Sequence, residues 1–332
     1  MPMTVPAIRP GRDTDSDGFI ALIAACWSQY PGVHLDVDDE MPELRAHATY
    51  YAQHGGALWT AEADGQTVGM IATRPHAAGA WEICRVYVLP AHHGSGLGHR
   101  LLDTAETHAR NAGAQRLLLW SDTRFDRAHR FYAKRSYVRC GPIRVLDDIS
   151  QSLEFAYAKP VNGIEQLDAA AAASAVPRLS AILTACVAEG AGVSFLPPLA
   201  PETARAFWHD TTKQVAAGRR LLLAGWVGGV LAGTVSLAFS GAQNQPHRAD
   251  VEKLLVHPDT RRHGLARALM QRLEQEAARA GRKLLVLDTR AGDKAEQLYR
   301  SMGWNEVGRI PGYALRADRT PDDTLFFWKR VD

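Results

Sequence analysis

Set 168 residues apart, two stretches of this chain lie over each other without a gap: Glu82 to Gly113 over Asp250 to Gly281, with nine of the 32 pairs identical. The identities include Val88 with Val256, Pro90 with Pro258, Gly96 with Gly264, Leu97 with Leu265 and Glu106 with Glu274. Both stretches end Ala-Gly, at Ala112-Gly113 and Ala280-Gly281. Further on, Asp122-Thr123-Arg124 answers Asp288-Thr289-Arg290, and Phe131-Tyr132 answers Leu298-Tyr299. A period this long is no solenoid unit; it is a whole domain copied once. The 332 residues, at roughly 150 per domain, agree with two units. The spacing predicts domains over 1–160 and 161–332, with the seam near Lys159-Pro160-Val161-Asn162-Gly163.

Each copy reads as mixed α/β. In the first, 16–29 and 42–53 have helical patterning, and 56–61 and 67–73 read as strands around Asp64-Gly65. A β-branched run at 83–88 then leads through a glycine-rich turn into a helix over 96–112 that Gly113 ends. A strand at 117–120, a short helix at 126–135 and strands at 138–145 and 153–158 close the domain. The second copy repeats the order as strand 251–256, helix 264–280, strand 284–287 and helix 293–302.

Composition narrows the partners. With 38 basic against 36 acidic side chains the chain has no field to hold nucleic acid non-specifically, so any anion site is local. The longest apolar stretch, Leu221 to Gly233, is too short for a bilayer, and Met1 to Gly11 has no signal-peptide core. Cys26, Cys84, Cys140 and Cys186 make no C-x-x-C pair, and the adjacent His92-His93 lacks further ligands, so no metal is expected. Cytoplasmic residence is the expectation.

The chemistry sits in the turns. Arg261-Arg262-His263-Gly264-Leu265-Ala266 lies between a strand and a helix, where unpaired backbone N–H groups and the positive end of the helix dipole favour an anion. Arg261, Arg262 and Arg267 add charge suited to a pyrophosphate. The first copy has His93-Gly94-Ser95-Gly96-Leu97-Gly98-His99, richer in glycine and poorer in fixed charge, which predicts a weaker grip. A Rossmann dinucleotide site shares G-x-G at such a junction, but it belongs to a first βαβ unit, and these turns follow several elements.

At these residues the sequence resembles the GCN5-related N-acetyltransferase (GNAT) family, in tandem. The second copy has V-x-P at Val256-His257-Pro258, R-x-x-G-x-A at 261–266, Leu298-Tyr299 and Gly303-Trp304; the first has Val88-Leu89-Pro90, Phe131-Tyr132 and Ser136-Tyr137, with His93 in place of Arg or Gln. The stretch from Asn244 to Val256 and the tail Ile310 to Leu315 with Thr324 to Phe327 are similar to tabtoxin-resistance-type acetyltransferases. The family's frequent Asn before the helix tyrosine is replaced by Phe125 and Gly292.

The resemblance implies acetyl-CoA as acyl donor and a small-molecule amine as acceptor. Its pyrophosphate would lie on Arg262 to Arg267 and its pantetheine arm beside Leu254, Leu255 and Val256 like an added strand. Gly94 to His99 and Val86, Tyr87 and Val88 are the matching positions. It also implies Asp250, then Asp288, as base and Tyr299 as general acid, with Glu82 and Tyr132 as their mates. Two assemblies fit such a chain, a monomer with pseudo-dimeric halves or a homodimer. The other readings are a non-catalytic acyl-CoA sensor, or a catalyst whose first half is degenerate.

Overall fold

A computed structural model describes residues 5–77 and 79–331; the first four residues of the amino-terminal stretch lie outside it. The chain divides into two compact units, one of residues 1–132 and 139–161, the other of 133–138 and 162–332. Each is built on a seven-stranded sheet with the same strand order.

The first unit contains β1 (Ala7–Pro10), α1 (Ser16–Trp27), α2 (His47–Gln53), β2 (Ala57–Ala63), β3 (Gln66–Ala77), β4 (Ala80–Val88), α3 (Leu97–Asn111), β5 (Arg116–Asp122), α4 (Asp126–Lys134), β6 (Val138–Val145) and β7 (Leu153–Pro160). The stretch expected to be one helix over 42–53 begins as a 3₁₀ segment, Pro42–Ala46, before α2. The second unit contains β8 (Gly163–Leu167), α5 (Ala169–Ala188), α6 (Pro201–Ala216), β9 (Arg220–Val227), β10 (Val230–Phe239), β11 (Arg248–Val256), α7 (Leu265–Arg279), β12 (Leu284–Arg290), α8 (Lys294–Ser301), β13 (Asn305–Leu315) and β14 (Pro321–Arg330). The apolar run 221–233 folds as the β9–β10 hairpin, turning on Gly228 and Gly229, both at positive φ. α5 is long and apolar enough to cross a bilayer by length and composition. It is apolar because it is core: Ala172, Val176, Leu179, Leu183 and Val187 pack with Trp208, Leu222 and Trp226 over the sheet.

The repeated helices α3 and α7 show why the aligned segment folds alike. Leu97, Leu101, Leu102, Ala105 and Ala109 recur at helical spacing and are all buried, as are Leu265, Leu269, Met270, Leu273 and Ala277. Both helices end in a left-handed glycine, Gly113 and Gly281, with the following N–H returning to the carbonyl of Ala109 or Ala277. Each helix also presents a glutamate to a lysine on the last paired strand. Glu106 and Lys159 meet at 2.8 Å with both side chains 2% exposed, and Glu274 meets Lys329 at 2.8 Å in a wetter setting.

Two features of the sheets position the sites. The parallel pairs are short: β4 meets β5 only from Ala80–Glu82, and β11 meets β12 only from Arg248–Asp250. Beyond those residues the strands part, while β5 and β12 stay paired on their other side with β7 and β14. A β-bulge also interrupts β4 and β11 just past the parting. Its first residue is left-handed at Arg85 (φ 55°) and at Lys253 (φ 55°), exactly repeat mates in number. Such a bulge leaves backbone groups out of the ladder and bends the strand.

α2 carries a histidine that reports on the first unit. His47 has no exposed surface, sits among the rings of Phe19, Tyr50 and Tyr51, and its Nε2 has no hydrogen-bond partner. Burial, and then the nearby Arg85, push its pKa down to about 4. The folded state therefore keeps His47 neutral while the unfolded chain takes up a proton below its ordinary value of 6.5. Stability is full above that value and falls as pH drops toward the folded one. Going from ~pH 7 to ~pH 5.5 should cost the first unit roughly 1 kcal/mol. Thermal melts of the parent and His47→Leu across that window check this: the variant's melting temperature should change less with pH.

Candidate active site

The turn before α7 makes an anion cradle from backbone. Arg262 (φ 68°) and Gly264 (φ 76°) are both left-handed, as Gly94 and Gly96 are at the mate positions in the first unit. A Cβ on Gly264 would meet nothing within 4 Å, so φ and not space requires glycine there. No side chain caps α7, and its first internal bond is from Ala268 N to Gly264 O. The N–H groups of Leu265, Ala266 and Arg267 thus remain open to an anion. In the first unit Ser95 Oγ stands 3.4 Å from Leu97 N and donates to His92 O at 2.7 Å, so a hydroxyl already occupies part of that mouth.

The charged residues of the turns have different duties. Arg261 donates through Nε to the Val256 carbonyl at 3.2 Å and pairs with Glu189. His93, its repeat mate, places Nε2 2.9 Å from the Val88 carbonyl. The same two carbonyls take a thiol from the helix behind them, Cys186 at 3.4 Å and Cys26 at 3.5 Å. Burial pushes the Cys26 thiol up to about 11 and raises Cys186 as well, which keeps both as donors. Position 93/261 is therefore a latch on the strand end, which histidine fills as arginine does. Burial, and then Arg127, lower the His93 pKa, so the first turn gains no fixed charge from it. Of the other predicted residues, Arg267 donates to Ser301 Oγ at 2.7 Å. His99 packs its ring 5.0 Å from Phe131, and Gly98 faces the same ring. Arg262, His263 and Gly264 are exposed, while Leu265 and Leu97 are core.

Leu254, Leu255 and Val256 follow the bulge on β11, with Leu255 buried and its neighbours half-buried. Val86, Tyr87 and Val88 do the same on β4, where the Tyr87 hydroxyl accepts from Trp27 Nε1 at 3.2 Å. Because β12 no longer pairs there, this edge of β11 is free to hydrogen-bond an extended chain.

The acids at the parting separate the two units. In the first, Glu82 is held by Arg74 at 2.9 Å and Asp122 by Arg124 at 2.6 Å. Burial would raise the Asp122 carboxyl, but the hydrogen bonds from Arg124 outweigh it and hold it low. In the second, burial raises Asp250, and the carboxylates of Glu252 and Asp288 push the same way against Arg248, which meets it at 3.2 Å. Asp288, although its side chain reaches water on the open side of β12, is raised too, by the partial loss of water around its carboxyl ahead of the opposing pull of Lys253. Arg290, mate of Arg124, turns instead to the Gly190 carbonyl, Asp293 and Asp322. Tyr299 and Tyr132 are both buried, and burial raises both phenols. The charges next felt by Tyr299 are Asp293 and Asp288; those felt by Tyr132 are Tyr87, Tyr157 and Cys84.

A cavity of about 560 Å³ opens on the other flank of the turn, between His263, Gly264 and Arg272 and the strand ends at Asn162 and Trp226. It adjoins the cradle and touches none of Asp250, Asp288 or Tyr299.

A crevice with open backbone donors at its mouth, an unpaired strand edge for a wall and acids where the strands part suits a long ligand with a phosphate head and a reactive tail. Such a crevice, formed once in each half of the chain, is what an acyl-group transferase with a phosphate-bearing donor needs. The Acetyltransferase (GNAT) family profile matches residues 19–137 and 191–304, more than half of the chain. The chain belongs to this family of enzymes, which draw their acetyl group from acetyl-CoA.

Among curated relatives, an uncharacterized N-acetyltransferase from the hisH-hisA intergenic region of Azospirillum brasilense is 33% identical over 38% of this chain and 75% of its own length. An uncharacterized N-acetyltransferase of Mycobacterium tuberculosis is 30% identical over 37% of this chain and 83% of its own length. A Salmonella typhimurium structure assigned as an acetyltransferase, with its cofactor acetyl-CoA, is 20% identical over 52% of this chain and 94% of its own, at a TM-score of 0.44.

Sequence reasoning missed three things: the bulge, the double latch on Val88 and Val256, and the arginine pairing of the first unit's acids. No glycine marked the bulge, since Arg85 and Lys253 take the left-handed turn themselves. The latch thiols lie on α1 and α5, outside the aligned segment.

Proposed function

We propose that the second unit catalyses acetyl transfer from acetyl-CoA to the amine of a small molecule, and that the first unit keeps the fold without the chemistry. The supporting observation is the contrast in the acids: both carboxylates of the first unit are held low or bound by arginine, while in the second Asp288 meets no arginine among the described residues, and both it and Asp250, which keeps Arg248 at 3.2 Å, are raised. A carboxylate with a raised pKa is the better proton acceptor. The cradle before α7 and the open edge of β11 fit a pyrophosphate and a pantetheine arm.

On this reading the N–H groups of Leu265 to Arg267, with Arg262, hold the pyrophosphate, and the backbone of Leu254 to Val256 orients the arm. Asp250 and Asp288 take a proton from the acceptor's ammonium, directly or through water. Backbone N–H groups freed by the bulge are placed to hold the carbonyl oxygen as it gains charge. The Tyr299 phenol, kept protonated by its raised pKa, gives a proton to the departing sulfur. The loop after α5 and helix α6 lie against the bulge, with Ser194 3.4 Å from Lys253 and the Phe207 ring 5.4 Å from its amine, which favours a compact acceptor.

Calorimetric titration of the whole chain with acetyl-CoA, followed by free-thiol release against a panel of small amines, tests the reading. Amine-dependent release should persist in Glu82→Gln and fall at least tenfold in Asp250→Asn or Asp288→Asn. Tight binding with no release for any amine would mark a sensor instead. Loss of release in Glu82→Gln alone would move the catalyst to the first unit.

A further inference from the structure

We propose that Lys253 is a self-acetylation site: standing on the bulge where β11 leaves β12, its side-chain amine takes an acetyl group from acetyl-CoA when no other amine is in place. This rests on the reading of the second unit as the catalyst.

The placement follows from the strand. The anion cradle lies just beyond the carboxyl end of β11, so an arm laid along Val256, Leu255 and Leu254 runs backwards from it and brings its reactive end to residue 253. Lys253 is there in a left-handed conformation that lysine adopts rarely. Its Nζ touches Ser194 Oγ at 3.4 Å and lies 5.4 Å over the Phe207 ring. No carboxylate comes within 4.0 Å of it among the described residues. The charged groups that act on it are Glu252, Arg220 and Asp288, and Arg220 is itself paired with Glu252 at 2.8 Å. Burial, ahead of these charges, lowers its pKa and so favours the neutral, nucleophilic amine. The first unit offers the contrast. Arg85 fills the same bulge position, pairs with Glu43 at 2.8 Å, and carries no amine that an acetyl-transfer site would use.

The step balances without another reactant. The neutral Nζ forms a C–N bond with the acetyl carbonyl carbon as the C–S bond breaks. One nitrogen proton passes to Asp288, the departing thiolate takes the phenolic proton of Tyr299, and the proton on Asp288 restores the phenol. The products are acetyl-lysine and free coenzyme A thiol. The amine thereby loses its ability to carry charge on the acceptor side of the split.

The test is peptide mass spectrometry of the full chain after incubation with acetyl-CoA and no added amine. Expected is one acetyl group on Lys253, added at a rate independent of protein concentration, with the exposed Lys213, Lys283 and Lys294 trailing at least tenfold. Lys253→Arg should bind acetyl-CoA as the parent does and remain unmodified; the bulge accepts arginine in the first unit, so this variant should fold. Asp288→Asn should slow the modification at least tenfold. Lys253 left unmodified while added amines are acetylated would overturn the proposal and leave the catalytic reading intact. Even acetylation across the exposed lysines would overturn it as well. Absence of any acetyl-CoA binding by calorimetry would overturn both.

Discussion

Replacing Tyr299 with Phe should lower turnover about a hundred to ten thousand-fold while acetyl-CoA binding stays within a few-fold of the parent. The phenol is buried, its pKa is raised by burial and then by Asp293 and Asp288, and it answers the tyrosine of the first copy one for one. Tyr132→Phe is the internal control. Tyr132 lies among Tyr87, Tyr157 and Cys84, beside acids bound by Arg74 and Arg124, so its loss should leave turnover within about twofold. Steady-state thiol release on both variants, with calorimetry for the coenzyme, decides the matter. Equal losses from the two tyrosines would mean two working sites, and no loss from either would remove the phenol from the reaction.

The second large effect belongs to the fold. Glu106→Leu takes away the carboxylate facing the Lys159 ammonium, in a place where both side chains are 2% exposed at 2.8 Å. Desolvating a charge is costly and only close pairing offsets it, so the single change should cost roughly 3–5 kcal/mol. Glu106→Leu with Lys159→Met removes both charges and should recover most of that loss, because replacing a buried pair by apolar groups is often near neutral. The copy of this pair sets the scale. Glu274 and Lys329 meet at the same 2.8 Å but are 16% and 22% exposed, so Glu274→Leu should cost less. Denaturant unfolding of the three variants orders them. A double variant as unstable as Glu106→Leu would show that volume, and not charge, governs the site.

The duplication was legible because a helix that buries one face, starts on a left-handed glycine and ends on another constrains most of its residues. Leu97, Leu101, Glu106 and Gly113 match Leu265, Leu269, Glu274 and Gly281 for that reason. The turns could be recognised from type and order, since any glycine turn between strand and helix exposes backbone donors. Helices α1 and α2 are bounded only coarsely by the sequence, because their outward positions are not tied to a shared partner and the corresponding helices α5 and α6 of the second copy differ from them in length.

By itself the sequence determined that a mixed α/β domain occurs twice, that each copy has a glycine turn between a strand and its long helix, and that a tyrosine follows at the same place in each. Tertiary structure decided which of the candidate acids an arginine holds. Glu82 meets Arg74 only because β3 and β4 pair in that register, and Arg124 turns onto Asp122 where Arg290 turns away from Asp288. Residue spacing fixes which side chains share a strand. The proton affinity of a carboxylate depends on what faces it across the sheet and on how much water reaches it, and both are set by packing.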